Sequence, residues 1–467
     1  MTSKPLIETD FAELPDGTLL DTIEDPTDPA KTQLAIYRDN KIRYADQFES
    51  NDQIYLPISR STEILKHIRF SRGTKSYGST ARLFKALCAT FANSLDMPLS
   101  HVGLLATFVI STWLFEKLPI APYVALVGLP RSGKTTALRV LSLLCRRSLL
   151  TSDITSASFY EACNRVTPTV LIDETATACD RGPLFHLLRA GSTKGSVAIR
   201  KKKAFNAYCP KVVCWTQLPS DAALNSRCII IPLQESERRD LLRVSHPTVQ
   251  ELADTTRQML QQYRFENFNR LSLAPVSGDE YLNSRSRDLY EALALPVDHP
   301  KLREFLACQF REQQNLNREP LSPIQAAVLQ ALDWYIHEYP NYGTCAISVL
   351  TQAVSQKLTD NRELFHTNAH QVGHILTSFG LTERNRTNKG WFLLLSLRAR
   401  KLIHTLLRRY ATELDLSLNR DGCVLCTSPE NLPVASESRT GPQQEPASDG
   451  AKNGEGEHRE LGVLQTE

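Results

Sequence analysis

Residues Gly128-Leu129-Pro130-Arg131-Ser132-Gly133-Lys134-Thr135 have the types and spacing of a phosphate cradle, Gly-x-x-x-x-Gly-Lys-Thr. The glycines let the backbone curl until consecutive N–H groups face one anion, and the positive end of the following helix adds to the attraction. Lys134 is long enough to reach the β- and γ-phosphates of a nucleotide, and the Thr135 hydroxyl suits Mg2+; Thr136 follows on the same turn. The motif requires a strand before it and a helix after it. Tyr123-Val124-Ala125-Leu126-Val127 is an apolar, valine-rich run of strand character, and Ala137-Leu138-Arg139-Val140-Leu141 has helical spacing. The whole stretch from Gly128 to Thr136 is therefore the nucleotide-binding candidate, with ATP and Mg2+ as the expected cofactors.

A second apolar strand, Thr169-Val170-Leu171-Ile172, ends in Asp173-Glu174. After a phosphate cradle, Asp173 is placed to orient Mg2+, directly or through water. Glu174 beside it can polarise a water for attack on the γ-phosphate. That favours hydrolysis over a small-molecule kinase, which must keep water out; the bland alternative is an acidic helix cap. Thr216 and Gln217 stand where a third strand, 211–215, ends, so either can touch the γ-phosphate or the attacking water. Arg227 precedes a fourth strand, 228–232, where it could stabilise transferring phosphate on a neighbouring subunit; the alternative is an ordinary surface arginine. Two strand-like pieces surround Arg200, Lys201, Lys202 and Lys203. As the tip of a hairpin these four would bind phosphate backbone without reading sequence, against the alternative of a solvated turn.

The elements that must position these residues read as alternating strands and helices, a mainly parallel sheet with covered faces. Residues 1–30 read as a loose lead-in. Strands at 33–37, 42–44 and 53–58 make a small antiparallel module. Helices follow at 61–68 and 79–96, joined by a basic connector at 69–75 that reads as a solvated loop, then a buried apolar helix at 102–115, too short to span a bilayer. Ser156 or Ser158 could cap the next helix, and 184–190 reads as another. Residues 236–318 are helical and charged.

Three helices then span 323–337, 346–358 and 369–379, the first with Ser322 as N-cap and Pro323 at its first position. Short strands at 381–383 and 391–395 follow, with a turn over 385–390. Three helices and such a strand pair form the winged-helix pattern. His370, Gln371 and His374 would face outward on its third helix, and Arg384, Arg386 and Lys389 would line the wing, suiting a duplex backbone or minor groove. A protein-binding winged helix is the alternative. A basic helix at 398–411 closes the unit, and from about 416 the composition becomes that of a disordered tail.

The chain has 467 residues and a net charge of +3, too small to announce nucleic-acid binding by itself, so a basic surface would have to be local. No signal peptide is visible. The eleven cysteines show no disulfide framework, which fits reduced thiols in a cytoplasm. Cys423-Val424-Leu425-Cys426 is a single Cys-x-x-Cys; with no second pair and no histidine close by in the sequence, it is read as no zinc site.

Taken together, the 128–135 loop, the Asp173-Glu174 strand, Gly191-Ser192-Thr193-Lys194-Gly195 before the basic hairpin, Cys209-Pro210-Lys211, and Leu224-Asn225-Ser226-Arg227 before Ile229-Ile230-Ile231 resemble the P-loop ATPases of phages and integrated mobile elements. Those are grouped with primase-associated and superfamily 3 helicases within the AAA+ class. The resemblance covers residues 100–240. It implies an α/β P-loop NTPase core (119–240) with a parallel sheet, a small N-terminal β module (1–60), a helical linker (61–118), a helical lid (241–318), a winged helix (319–414) and a disordered tail (415–467). It also implies an ATP-hydrolysing, helicase-like motor on single-stranded or forked DNA, a homo-oligomer of up to a hexameric ring, Arg227 as a finger in the neighbour's site, and no membrane. The Thr216-Gln217 sensor departs from the family's usual Asn, and no primase module is present in the first 100 residues. A nucleotide-switch regulator or defence ATPase is the competing reading.

Overall fold

The computed structural model describes residues 4–173, 188–189, 191–200, 203–219, 221–274, 276, 282–316, 321–360, 363, 367–388, 390–410, 414 and 423–427. The chain divides into two compact units, one reaching Asn317 and the other beginning at Arg318.

The first unit opens with β1 (Leu6–Thr9), β2 (Phe11–Glu13), β3 (Leu19–Glu24), β4 (Thr32–Arg38), β5 (Lys41–Ala45), β6 (Phe48–Ser50) and β7 (Gln53–Pro57). Strands β2-β3-β4-β5 form an antiparallel sheet, and β1-β7-β6 a mixed one in which β1 runs parallel to β7 and β6 antiparallel to it. The loose lead-in expected over 1–30 is thus corrected. Strand β3 is buried along its whole length, so the apolar–polar alternation that marks a half-covered strand is missing from Leu19-Leu20-Asp21-Thr22-Ile23-Glu24. Helices α1 (Glu63–Lys66), α2 (Thr80–Ala92) and α3 (Leu99–Thr112) follow; Ser79 caps α2, and α3 is buried from Val102 to its end. The connector before α2 is tied down rather than solvated, since Arg72 pairs with the buried Glu24 at 2.7 Å.

The central sheet comprises β8 (Tyr123–Val127), β9 (Ser148–Thr151), β10 (Thr169–Ile172), β13 (Lys211–Trp215) and β14 (Cys228–Pro232), with α4 (Lys134–Leu144), α5 (Ser156–Val166) and α6 (Ala222–Asn225) between them. Its order is β14-β8-β13-β10-β9 and every pairing is parallel. The runs are short, apolar and unalternated because both faces are covered. Thr155 caps α5, accepting from the Ser158 N–H, in place of the expected Ser156 or Ser158. Strands β11 (Val197–Arg200) and β12 (Lys203–Asn206) form a separate antiparallel hairpin. The unit ends in α7 (Pro247–Asn267), α8 (Ser284–Ala294) and α9 (Pro300–Leu316).

One buried ion cluster ties these layers together. Asp21 of β3 faces Arg146 and Arg147, just past α4, at 3.2 and 2.7 Å, and Arg264 of α7 at 2.9 Å. Glu116 bridges Arg146 and Arg264. Burial alone would raise the Asp21 carboxyl; the three guanidiniums outweigh it and hold the group well below the usual carboxylate range.

The second unit contains α10 (Pro323–Glu338), β15 (Thr344–Ala346), α11 (Ile347–Asp360), α12 (Ala369–Ser378), β16 (Arg384–Thr387), β17 (Gly390–Leu394), α13 (Leu397–Arg409) and α14 (Val424–Thr427). Ser322 and Gln325 form a capping box at α10. The three strands pair in the order β15-β17-β16 over one apolar core. The strand expected at 381–383 lies instead at Arg384–Thr387. Leu381 belongs to the stop of α12: Gly380 is left-handed at φ +81°, and the Leu381 N–H returns to the Leu376 carbonyl at 2.8 Å. The helix expected at 184–190 and the tail expected at 415–467 lie outside the described residues, apart from 188–189 and 423–427.

Candidate nucleotide-binding site

Strand β8 delivers the chain to the C-terminal edge of the sheet, where Gly128 starts a tight loop. The Gly128 N–H donates to the Trp215 carbonyl at 3.1 Å, tying the loop to β13. A Cβ on Gly128 would stand 2.4 Å from the Leu233 carbonyl oxygen and 2.5 Å from Ser132 Oγ, so only glycine fits. Arg131 and Gly133 are left-handed at φ +71° and +86°. Among the described residues nothing lies within 4 Å of where a Gly133 Cβ would be, so they leave that side of the loop open. The first turn of α4, beginning at Lys134, presents its unpaired N–H groups there. Lys134 is buried, and its ammonium donates across the loop to the carbonyls of Gly128 and Leu129, the latter at 2.8 Å. Leu129, Pro130, Arg131 and Thr135 are exposed and Thr136 half-buried.

Asp173 follows β10 at the same edge, its N–H donating to the Thr151 carbonyl at 2.9 Å. Strand β13 runs between β8 and β10; Trp215 is level with Val127, and Val213 with Ile172. Thr216 and Gln217, half-buried and exposed, therefore emerge between the loop and Asp173. Burial raises the pKa of the Cys214 thiol on β13, with Asp173 adding to the rise and Lys134 opposing it.

The residues fit a nucleotide with its magnesium. Asp173 Oδ1 and Ser132 Oγ are buried with no hydrogen-bond partner among the described residues, an arrangement that costs free energy unless a ligand completes it. Oxygen donors of this kind, with Thr135, match a hard cation, and the amides and ammonium match phosphate. Glu174 lies outside the described residues.

Arg227 is not brought to this edge. Cys228, the next residue, pairs with Tyr123, the first residue of β8, so Arg227 sits at the opposite end of the strands, about 17 Å away along five residues. Its guanidinium donates to the Ala223 carbonyl, and its Nε is buried with no partner among the described residues.

The two strands pair as expected, with Arg200 opposite Lys203; Lys201 and Lys202 lie outside the described residues, and Lys203 is exposed. Phe205 packs on Tyr160 of α5 at 5.4 Å, while Val197 and Ile199 on the other strand stay 53% and 75% exposed. In the second unit His370, Gln371 and His374 are exposed on α12, as expected. Arg384 differs from expectation. Its guanidinium donates to the Gly373 carbonyl at 2.6 Å and to Thr377 at 2.8 Å, fastening β16 to α12 instead of projecting. Arg386 is exposed and lies over the Trp391 ring at 5.8 Å; Lys389 lies outside the described residues.

The sequence places no histidine close to the Cys-x-x-Cys, and the fold supplies two. His337 of α10 and His404 of α13 point their rings at Cys426 and Cys423. No local spacing could reveal this, because the partners are 89 and 19 residues apart in the chain.

No protein-family model matches the chain, and no curated protein matches it. Among solved structures it is similar to the C-terminal region of NrS-1, at 12% identity over 80% of this chain and 95% of that one, with a TM-score of 0.38. It is similar to the SCCmec type IV helicase Cch, at 12% identity over 85% and 80%, with a TM-score of 0.40. It is also similar to Cdc6p from Pyrobaculum aerophilum, at 12% identity over 67% and 93%, with a TM-score of 0.20.

Proposed function

We propose that the chain is a Mg2+-dependent ATPase of AAA+ type that works as an oligomeric, helicase-like motor on DNA, of the kind carried by phages and mobile elements. The observation that supports this most is the juxtaposition at one sheet edge of the glycine-bounded loop, Lys134 and the unpartnered Asp173 oxygen, with a polar strand end between them. Bound Mg2+-ATP supplies the electrophilic phosphorus and a metal that offsets phosphate charge. The chain's own residues do the rest. The loop amides and Lys134 hold the phosphates, and Thr135 and Asp173 hold the ion. Glu174 takes a proton from the attacking water, and Thr216 with Gln217 orients it. Arg227, on the far edge from its own loop, serves the neighbouring subunit's site. The hairpin carrying Arg200 to Lys203 grips the strand, and the second unit, read as a winged helix with support from its α-β-α-α-β-β order, adds a duplex contact through Arg386 and Lys389.

A second reading is a nucleotide switch whose second unit binds a protein. It is favoured by one observation: Arg384 is consumed internally while Trp391, 52% exposed, flanks a cleft of about 540 Å3 lined by Ile347, His370 and His374. ATP turnover measured with and without single-stranded DNA separates the two. Strong stimulation supports the motor, and slow hydrolysis indifferent to DNA supports the switch.

A further inference from the structure

We propose that His337, His404, Cys423 and Cys426 form a closed, structural Zn2+ site in the second unit. One ligand atom from each of the four lies within 4.8 Å of the other three. His337 Nε2 is 3.2 Å from Cys426 Sγ, and His404 Nε2 is 3.3 Å from Cys423 Sγ. A tetrahedral ion with Zn–S of about 2.3 Å and Zn–N of about 2.0 Å separates its N and S ligands by about 3.5 Å, so only small adjustments are needed to seat it.

The surroundings orient the ligands as a metal requires. A carbonyl oxygen can only accept, so a ring nitrogen facing one must donate. His337 Nδ1 faces the Asp333 carbonyl at 2.8 Å and the Asp333 carboxylate at 3.0 Å, and His404 Nδ1 faces the Arg400 carbonyl at 2.8 Å. Both rings are thereby fixed with the proton on Nδ1 and the Nε2 lone pair aimed at sulfur, the outer-shell arrangement of histidine zinc ligands. The rings cross at 71° with centroids 5.2 Å apart, so the lone pairs converge from different directions. The Cys-x-x-Cys turn is ordered as well: the Cys426 N–H donates to the Cys423 carbonyl at 3.0 Å, and Arg408 donates to the Leu425 carbonyl at 2.7 Å.

Two thiolates and two imidazoles select zinc over hard cations, and four protein ligands leave no position for substrate, so the role is structural. His404 and Cys426 are buried beside an apolar core, where polar groups need partners. The ion would clip residues 423–427 onto α10 and α13, two helices that are distant in sequence, so removing it would free that segment.

Elemental analysis of the full chain, purified without chelator, is the test. Close to one zinc per chain is expected, unchanged in Cys308→Ser, whose cysteine is exposed elsewhere, and lost in the Cys423→Ser, Cys426→Ser double variant. Should that variant fail to fold, Co2+ added to the wild-type apoprotein decides: tetrahedral d–d bands with thiolate charge transfer support the site. A folded wild-type chain without zinc that gives no such bands, or a Cys423–Cys426 disulfide found by mass spectrometry, overturns it.

Discussion

Gly128 is the most constrained residue of the loop. Its missing side chain is what lets Ser132 and the Leu233 carbonyl close around the turn, with contacts that no Cβ could share. Gly128→Ala should lower stability by about 1–3 kcal/mol through overpacking, and should weaken nucleotide binding more than that loss of fold explains. Thermal denaturation with and without nucleotide checks both. Glu174 makes a different demand. If it takes the water's proton, Glu174→Gln keeps nucleotide affinity while turnover falls about 10^2- to 10^4-fold, measured as phosphate release against fluorescent-nucleotide binding. At this scale the loop is legible as a pattern because its residues, Gly128 to Thr135, are consecutive in the chain. What was not readable was conformation. Arg131 takes a left-handed φ that a non-glycine side chain rarely adopts, and nothing in its identity announces that.

Among the elements, the hairpin of β11 and β12 bears the claim about DNA. Strand β12 is anchored through Phe205 to α5, while Val197 and Ile199 on β11 stay exposed. Lys202→Ala with Lys203→Ala should weaken single-stranded DNA binding and reduce the log–log salt slope by roughly 1.4, the share of two phosphate contacts at about 0.7 each. An unchanged slope in a fluorescence-anisotropy titration would remove the hairpin from the account. Strands flanking an obvious turn, like this one, were legible. Strand β3 was not, because full burial erases alternation, and β16 was displaced because Leu381 was consumed by the helix stop before it.

At the scale of the molecule, the N-terminal sheet is locked to the region of α4 and α7 by Asp21 and its three arginines, residues up to 243 positions apart. Such pairings leave no trace in local pattern, which is why the first 60 residues read as a small module of their own; the histidines brought to Cys423 and Cys426 escape for the same reason. Asp21→Ala should cost about 3–5 kcal/mol by leaving buried guanidiniums without their counter-ion. The pH dependence follows from the sign of the shift. The folded carboxyl titrates below its ordinary value of 3.8. As pH falls below about 4 the unfolded carboxyl takes up a proton that the folded one refuses, so the stabilisation is complete above that pH and is lost towards the lower folded value. Denaturant midpoints across this acid range should fall steeply in the wild type and less so in Asp21→Asn. The strand register bears on this scale too, since Arg227 and the loop lie at opposite ends of the strands, so the proposed role of Arg227 at a phosphate needs a neighbouring copy.

The 128–135 loop and Asp173 are proposed to bind and hydrolyse ATP with magnesium. Steady-state phosphate release by the wild-type chain and by Lys134→Ala, each with Mg2+ and with chelator, tests it most directly. Turnover that requires Mg2+ and falls at least about 100-fold in the folded Lys134→Ala variant is predicted, as expected for a group that stabilises transferring phosphate. Hydrolysis that persists in that variant, or a folded wild-type chain that neither binds nor hydrolyses ATP, would contradict it.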